Sequence, residues 1–208
     1  MTEQPFLGPR RGYHHGGLKD ALIEAARLLV SERGTAGFTI SEAAKRVGVT
    51  AAASYRHFSD RNDLMGELVR RGFDLFALKL ESAFDHGQPN PWAALMRMGE
   101  AYLAFAREEP GLYSAMFANA AALDEPGPGA AADRALAVLR RSAEAVLGDS
   151  HRAGVDPQAL AFQIWSLSHG VATLMLSGHL SLEAGCDPLQ VLSLGVHSIV
   201  TAQVSKGR

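Results

Sequence analysis

Thr50-Ala51-Ala52-Ala53-Ser54-Tyr55-Arg56-His57-Phe58 places two hydroxyls, three methyl side chains, a phenol, a guanidinium and an imidazole within nine positions. These groups can donate hydrogen bonds and touch an apolar edge. With no carboxylate or thiolate among them, they make a poor set for bond cleavage. The segment just before them carries Ile40, Ala43, Ala44 and Val47 at i, i+3, i+4 and i+7, which gathers apolar side chains onto one face of a short helix. Thr39 can cap that helix by accepting from a first-turn amide, and Gly48 permits the backbone turn at its end. Thr50 can cap a second helix bearing Tyr55, Arg56 and His57. Two short helices joined by a Gly48-Val49 turn, over residues 39–58, have the layout of a helix-turn-helix, whose second helix enters the DNA major groove.

On that reading Ala51, Ala52 and Ala53 lead the recognition helix. Alanine can make only apolar contact, for instance with a thymine methyl, so base readout falls to Ser41, Tyr55, Arg56 and the arm residues Arg10 and Arg11. Two adjacent arginines in an arm can enter a minor groove and sense its width. The Thr39 and Thr50 hydroxyls, next to helix N-terminal amides, suit phosphate oxygens. Plainer readings stand beside these: Tyr55 as a half-buried ring, Arg56 as a solvated charge. Ser54, on the inner face, is expected to bond back to the preceding turn.

Net charge is −2, yet residues 1–71 hold eleven Lys and Arg against eight Asp and Glu, and the remainder nine against fourteen. Basic charge is thus concentrated where phosphates would be met. The chain has no Gly-x-Ser-x-Gly, phosphate loop or His-Glu-x-x-His. His14-His15 has no companion ligands, so neither a catalytic nor a metal site is expected, and no cofactor. The single Cys186 excludes an internal disulfide and fits a reducing compartment. The N-terminus has no apolar leader region, which points to the cytoplasm. Residues 158–182 lack formal charge and are long enough to span a bilayer, but Gln163, Ser166, Ser168, His169 and Thr173 interrupt them. A buried or interfacial helix is the expectation there, with no membrane partner.

The elements that must position these groups read as helices throughout, so the fold class is all-α. Asn90-Pro91, Asp156-Pro157 and Asp187-Pro188 each set an N-cap side chain before a proline. Helices are expected at about 17–33, from 60 through Leu80, and at 91–108, 111–121, 130–147, 157–178 and 188–204, besides the two of the motif. Asp124-Glu125-Pro126-Gly127-Pro128-Gly129 reads as the clearest loop. Met96, Tyr102, Phe105, Tyr113, Met116 and Phe117 lie on the middle helices, and Trp165 and His169, four apart, are neighbours on one helical face. They read either as core or as the wall of an apolar pocket with a few polar tips. Leu189, Leu192, Val196 and Ile199 are spaced three, four and three apart, the narrow seam of a packed helix pair, within one chain or between two.

Gly48-Val49-Thr50, the small residues after it, Tyr55-Arg56-His57-Phe58 and the Ser59-Asp60-Arg61-Asn62 turn resemble the TetR family of bacterial repressors. Gly12-Tyr13-His14-His15-Gly16-Gly17-Leu18 and Trp165 with His169-Gly170 resemble its subgroup with a Trp…His-Gly C-terminal domain. The resemblance is strong over the first third and thinner beyond. It implies nine helices, with an N-terminal arm and DNA-binding domain over residues 1–70 and an effector-binding and dimerisation domain over 71–208. It also implies phosphate contacts at His57 and Arg61, and an effector cavity among Met96, Tyr102, Phe105, Tyr113, Met116, Phe117, Trp165 and His169. The Leu189, Leu192, Val196, Ile199 seam becomes a dimer interface on the same grounds. The expected partners are a palindromic double-stranded operator, a second copy of the chain and an unknown small mostly apolar effector that releases DNA. A regulator without an effector, a helical protein-interaction module and a helical enzyme are the rival classes.

Overall fold

The computed structural model describes residues 15–118, 120–148, 155–183 and 185–206. Among them every regular element is helical: α1 His15–Arg33, α2 Ile40–Val47, α3 Ala51–Ser54, α4 Arg61–Phe84, α5 Pro91–Glu108, α6 Pro110–Ala118, α7 Pro126–Leu147, α8 Pro157–Leu176 and α9 Pro188–Lys206. Short 3-10 turns at Asp85–Gly87 and Ala120–Asp124 complete the list. The all-α expectation holds, and nine α-helices stand among the described residues. Three starts are capped as the Asx-Pro pairs require: Asn90 accepts from the Ala93 amide, Asp156 from Gln158 and Asp187 from Leu189, each at 2.9 Å.

α4 is the spine. Its first half buries Leu64, Met65 and Leu68 with Leu22, Ala26 and Ile40 of the N-terminal helices and Phe38 and Phe58 of the loops between them; its second half buries Phe73, Phe76 and Leu80 beneath α5, α6 and α7. Each such side chain contributes roughly 1.5–3 kcal/mol by leaving water, so one helix is cemented into both halves of the molecule. α8 is long and apolar enough to cross a membrane by length and composition. In this fold it packs on α5, α7 and α9, burying Leu160, Ala161, Ile164, Val171 and Ala172.

The start of α7 differs from the sequence reading. The expected loop at residues 124–129 is largely helix, because α7 begins at Pro126. Proline in a first helical turn lacks only an N–H that would be unpaired there anyway, so Pro126 and Pro128 are both accommodated.

Polar bonds and a close backbone approach hold α1 to α4 and α6. Arg27 donates to the Glu109 carboxylate at 2.9 Å, and Gly111, the second residue of α6, lies so close to α1 that an added Cβ would overlap the Arg27 carbonyl. On α4, Glu67 accepts from both Arg70 and Arg71, and Arg71 reaches Asp20 of α1. The paired Arg70 guanidinium holds the Glu67 carboxyl down at about 2.

Candidate nucleic-acid interface and effector cavity

α2 and α3 owe their geometry to their caps. Thr39 Oγ accepts from the Glu42 amide at 3.2 Å, while the Glu42 carboxylate accepts from the Thr39 amide at 2.8 Å and from its hydroxyl at 3.0 Å. This reciprocal box starts α2 firmly. It also engages the Thr39 hydroxyl as both donor and acceptor, so the phosphate role expected for that hydroxyl is already taken up inside the protein. Gly48, at φ 82°, ends α2 in the left-handed region. Thr50 Oγ accepts from the Ala53 amide at 3.3 Å, leaving its own proton free to donate outward.

The recognition helix is shorter than the sequence reading. Only Ala51–Ser54 is α-helical, and Tyr55, Arg56 and His57 lie in the turn that follows. Ser54 is buried and its hydroxyl donates to the Ala51 carbonyl at 2.7 Å, the expected back-bond. Such a bond competes with continued helix, and the turn it favours brings Phe58 into the core. Ser41, Thr50, Ala52, Tyr55 and Arg56 are exposed, while Ala51, Ala53 and His57 are half-buried. Tyr55 is 54% exposed, so its ring is not the packing element considered above.

Charge around the motif is partly spent internally. Arg46 makes two bonds to Glu32, at 2.6 and 2.8 Å, and Arg33 pairs with Glu42 at 2.8 Å. Lys45 and Arg56 are exposed with no ion pair among the described residues. Arg61, expected at a phosphate, turns inward. Its Nε donates to the Phe38 carbonyl at 3.1 Å, an Nη donates to the Thr35 carbonyl, and the guanidinium sits 4.9 Å over the Phe38 ring. Arg10 and Arg11 lie outside the described residues.

The expected pocket residues divide. Phe105 and Met116 are core: Phe105 packs 5.0 Å from Phe76, and the Met116 side chain occupies the space a Cβ at Gly72 would need. Tyr113, Phe117, Trp165 and His169 form a ring cluster joining α6 to α8, with Phe117 4.5 Å and Tyr113 5.7 Å from His169 and Phe117 6.3 Å from Trp165. Tyr113 Oη lies 2.8 Å from His169 Nδ1, with Tyr102 Oη farther off at 3.5 Å. Burial lowers the His169 pKa and raises those of Tyr102 and Tyr113. The Tyr113 hydroxyl and His169 Nδ1 thus share a hydrogen bond in surroundings that disfavour the charged imidazole.

A cavity of about 260 Å³ lies beside this cluster, walled by α5, α7, α8 and α9. Met96 and Tyr102 line it. Leu95, Met98, Gly99, Leu139, Ile164 and Leu192 complete most of its apolar wall, and Ser168, Ser193 and Glu100 supply polar atoms. The small residues Gly99, Ser168 and Ser193 are what leave it open, a signal present in the sequence but meaningful only once the helices face one another.

The seam on α9 also needs correcting. Leu192 and Val196 are each 2% exposed within the single chain, against α5 and α8, and an added Cβ at Gly195 would meet Leu167 of α8 at 2.6 Å. The three-and-four spacing reports a packed helix pair without saying which helix is the partner, and here the partner is internal. Leu189 is exposed at one end of the seam and Ile199 half-buried at the other. The outward faces carry Val191, Leu194, His197 and Ser198 on α9, with Phe162, Ser166, Gly170 and Leu174 on α8. All are exposed, and none is Asp, Glu, Lys or Arg.

Known proteins share both halves of this arrangement. The model of the tetR family of bacterial regulatory proteins matches residues 22–68, and that of the tetracyclin repressor-like C-terminal domain matches residues 95–197. The HTH-type transcriptional repressor BepR of Brucella suis is 37% identical over 75 residues, 35% of each chain, so the match spans about a third of that relative. An uncharacterised HTH-type transcriptional regulator of Mycobacterium tuberculosis is 27% identical over 77% of this chain and 71% of its own. A Rhodococcus protein of unknown function has the same fold at a TM-score of 0.78 and 24% identity, over 93% of this chain and 98% of its own. Both named relatives are transcriptional regulators by name. With a capped helix-turn-helix fused through α4 to an α-helical bundle, and both family models matched in order, the chain belongs to the TetR family of DNA-binding transcriptional regulators.

Proposed function

We propose that this regulator is a cytoplasmic homodimeric repressor that binds a palindromic operator and leaves it when a small mostly apolar compound enters the cavity between α5, α7, α8 and α9. The observation that carries the reading is the position of that cavity. Its inner wall is α5, which packs on α4, and its outer wall is α9, whose exposed side is uncharged. A bound compound would therefore touch both the helix that leads to the DNA-binding half and the helix best suited to meet a second subunit. The domains divide near residue 70, with the motif at 39–58. Ser41, Thr50, Ala52, Tyr55, Arg56 and Lys45 are the groups available to DNA, since they are exposed and unneutralised. BepR, which matches about a third of this chain, is a repressor by name, in line with the sense of regulation proposed.

A ligand can release DNA only by binding the DNA-free conformation more tightly, and the ratio of the two affinities limits the effect. The test is a panel of small apolar compounds screened by thermal melting. A compound that binds should raise the melting temperature and weaken binding to a duplex selected from random DNA by the protein. Ser193→Leu puts a branched side chain into the cavity from a half-buried position. It should abolish both responses while leaving DNA binding intact. A variant that still responds fully would rule the cavity out as the effector site.

A further inference from the structure

Arg61 begins α4, yet its guanidinium is bonded to carbonyls 23 and 26 residues earlier in the chain. The two acceptors bracket the loop between α1 and α2: Thr35 opens it and Phe38 closes it, immediately before the Thr39 cap of α2. The Phe38 side chain is 2% exposed, and its ring forms the floor beneath the guanidinium. The fork of a guanidinium can hold two diverging acceptors while its flat face rests on a ring; an ammonium is a point donor with no such face. Asp60, just before Arg61, caps α4 by accepting from the Asn62 and Asp63 amides at 2.7 and 2.9 Å. The first residue of α4 and the loop that leads into α2 are thereby fixed to one another.

We propose that Arg61 is a positioning residue for DNA recognition: it clamps the entry of α2 to the start of α4 and so sets the orientation in which α3 meets the major groove, instead of neutralising a phosphate. Orientation governs base contacts, whereas general attraction to the duplex depends on the number of phosphates met. The clamp and the phosphate contact therefore predict different behaviour from the same substitutions.

The test measures binding to two duplexes over a range of salt: one selected from random DNA by the wild-type protein, and one scrambled at equal composition. Arg61→Lys keeps the charge and removes the fork; Arg61→Met removes both. For a clamp, each variant should lose roughly tenfold or more of its preference for the selected duplex. Affinity for the scrambled duplex and the salt slope of Arg61→Lys should stay at the wild-type level. For a phosphate contact, Arg61→Lys should behave as wild type. Arg61→Met should then bind both duplexes more weakly, with a salt slope smaller by about 0.9. That pattern would overturn the proposal. A contribution to stability alone would lower the melting temperature while leaving the preference unchanged well below it, and this would overturn it too. Should Arg61→Lys fail to fold, Phe38→Leu carries the same test, because it alters the floor of the clamp without changing any charge. Lost preference at an unchanged salt slope supports the clamp, and retained preference refutes it.

Discussion

The residues that start and stop the short helices were legible in the sequence. Thr39, Gly48 and Thr50 do their work within three or four positions of themselves, and local chemistry can be read locally. Which cations remain free for DNA could not be read that way. Arg33, Arg46 and Arg61 find partners 9, 14, and 23 to 26 residues away, distances set by how α1, α2 and α4 cross. Glu67 illustrates the same point and permits a sign to be worked out. Its carboxyl falls to about 2 in the folded protein because Arg70, and after it Arg71, bond the charged form. A carboxyl lowered on folding stabilises the native state above its unfolded pKa, and that stabilisation is lost as pH falls through the folded value. Glu67→Gln should cost about 1–2 kcal/mol at pH 7, allowing for solvent screening of the partly exposed pair. In urea melts at a series of pH values, the difference from wild type should begin to shrink below about 4.5 and be gone by about 2. An undiminished difference at the acid end would show that Glu67 acts through packing rather than charge.

At the scale of elements, helix existence was legible from apolar spacing and from the Asx-Pro starts, while facing was not. The start of α7 shows why composition misleads: Pro and Gly mark turns on average, yet proline is at home in a first helical turn. The α9 seam shows that a periodic stripe names a face without naming its partner. Close approaches are equally silent in sequence. Gly111 reads as part of a break between helices, and only the fold reveals that α6 rests on the α1 backbone there. Gly111→Ala forces a methyl group against the Arg27 carbonyl, and the overlap can be relieved only by parting α1 from α6. The expected loss is about 1–3 kcal/mol, typical of overpacking, with faster amide exchange in α1 and α6. An unchanged denaturation midpoint would mean that the contact is looser than its geometry indicates.

For the whole molecule, the proposed dimer predicts a contrast between two neighbouring positions on α9. Leu194 is 61% exposed on the uncharged outer face, whereas Val196 is 2% exposed inside the chain. Leu194→Glu should leave a folded monomer in sedimentation at micromolar concentration, with an unaltered helical spectrum. Val196→Glu should instead lower the melting temperature steeply, because an unpaired carboxylate is forced into an apolar interior. A Leu194→Glu protein that remains dimeric would locate the subunit contact elsewhere.

α9 has two working faces, one toward the cavity and one toward the proposed partner, and linkage between them is reciprocal. If a compound in the cavity alters how readily two chains associate, association must alter the hold on the compound by the same factor. The dissociation constant of the effector would then depend on how much protein is present. A cell could shift its threshold for induction merely by making more or less of the regulator.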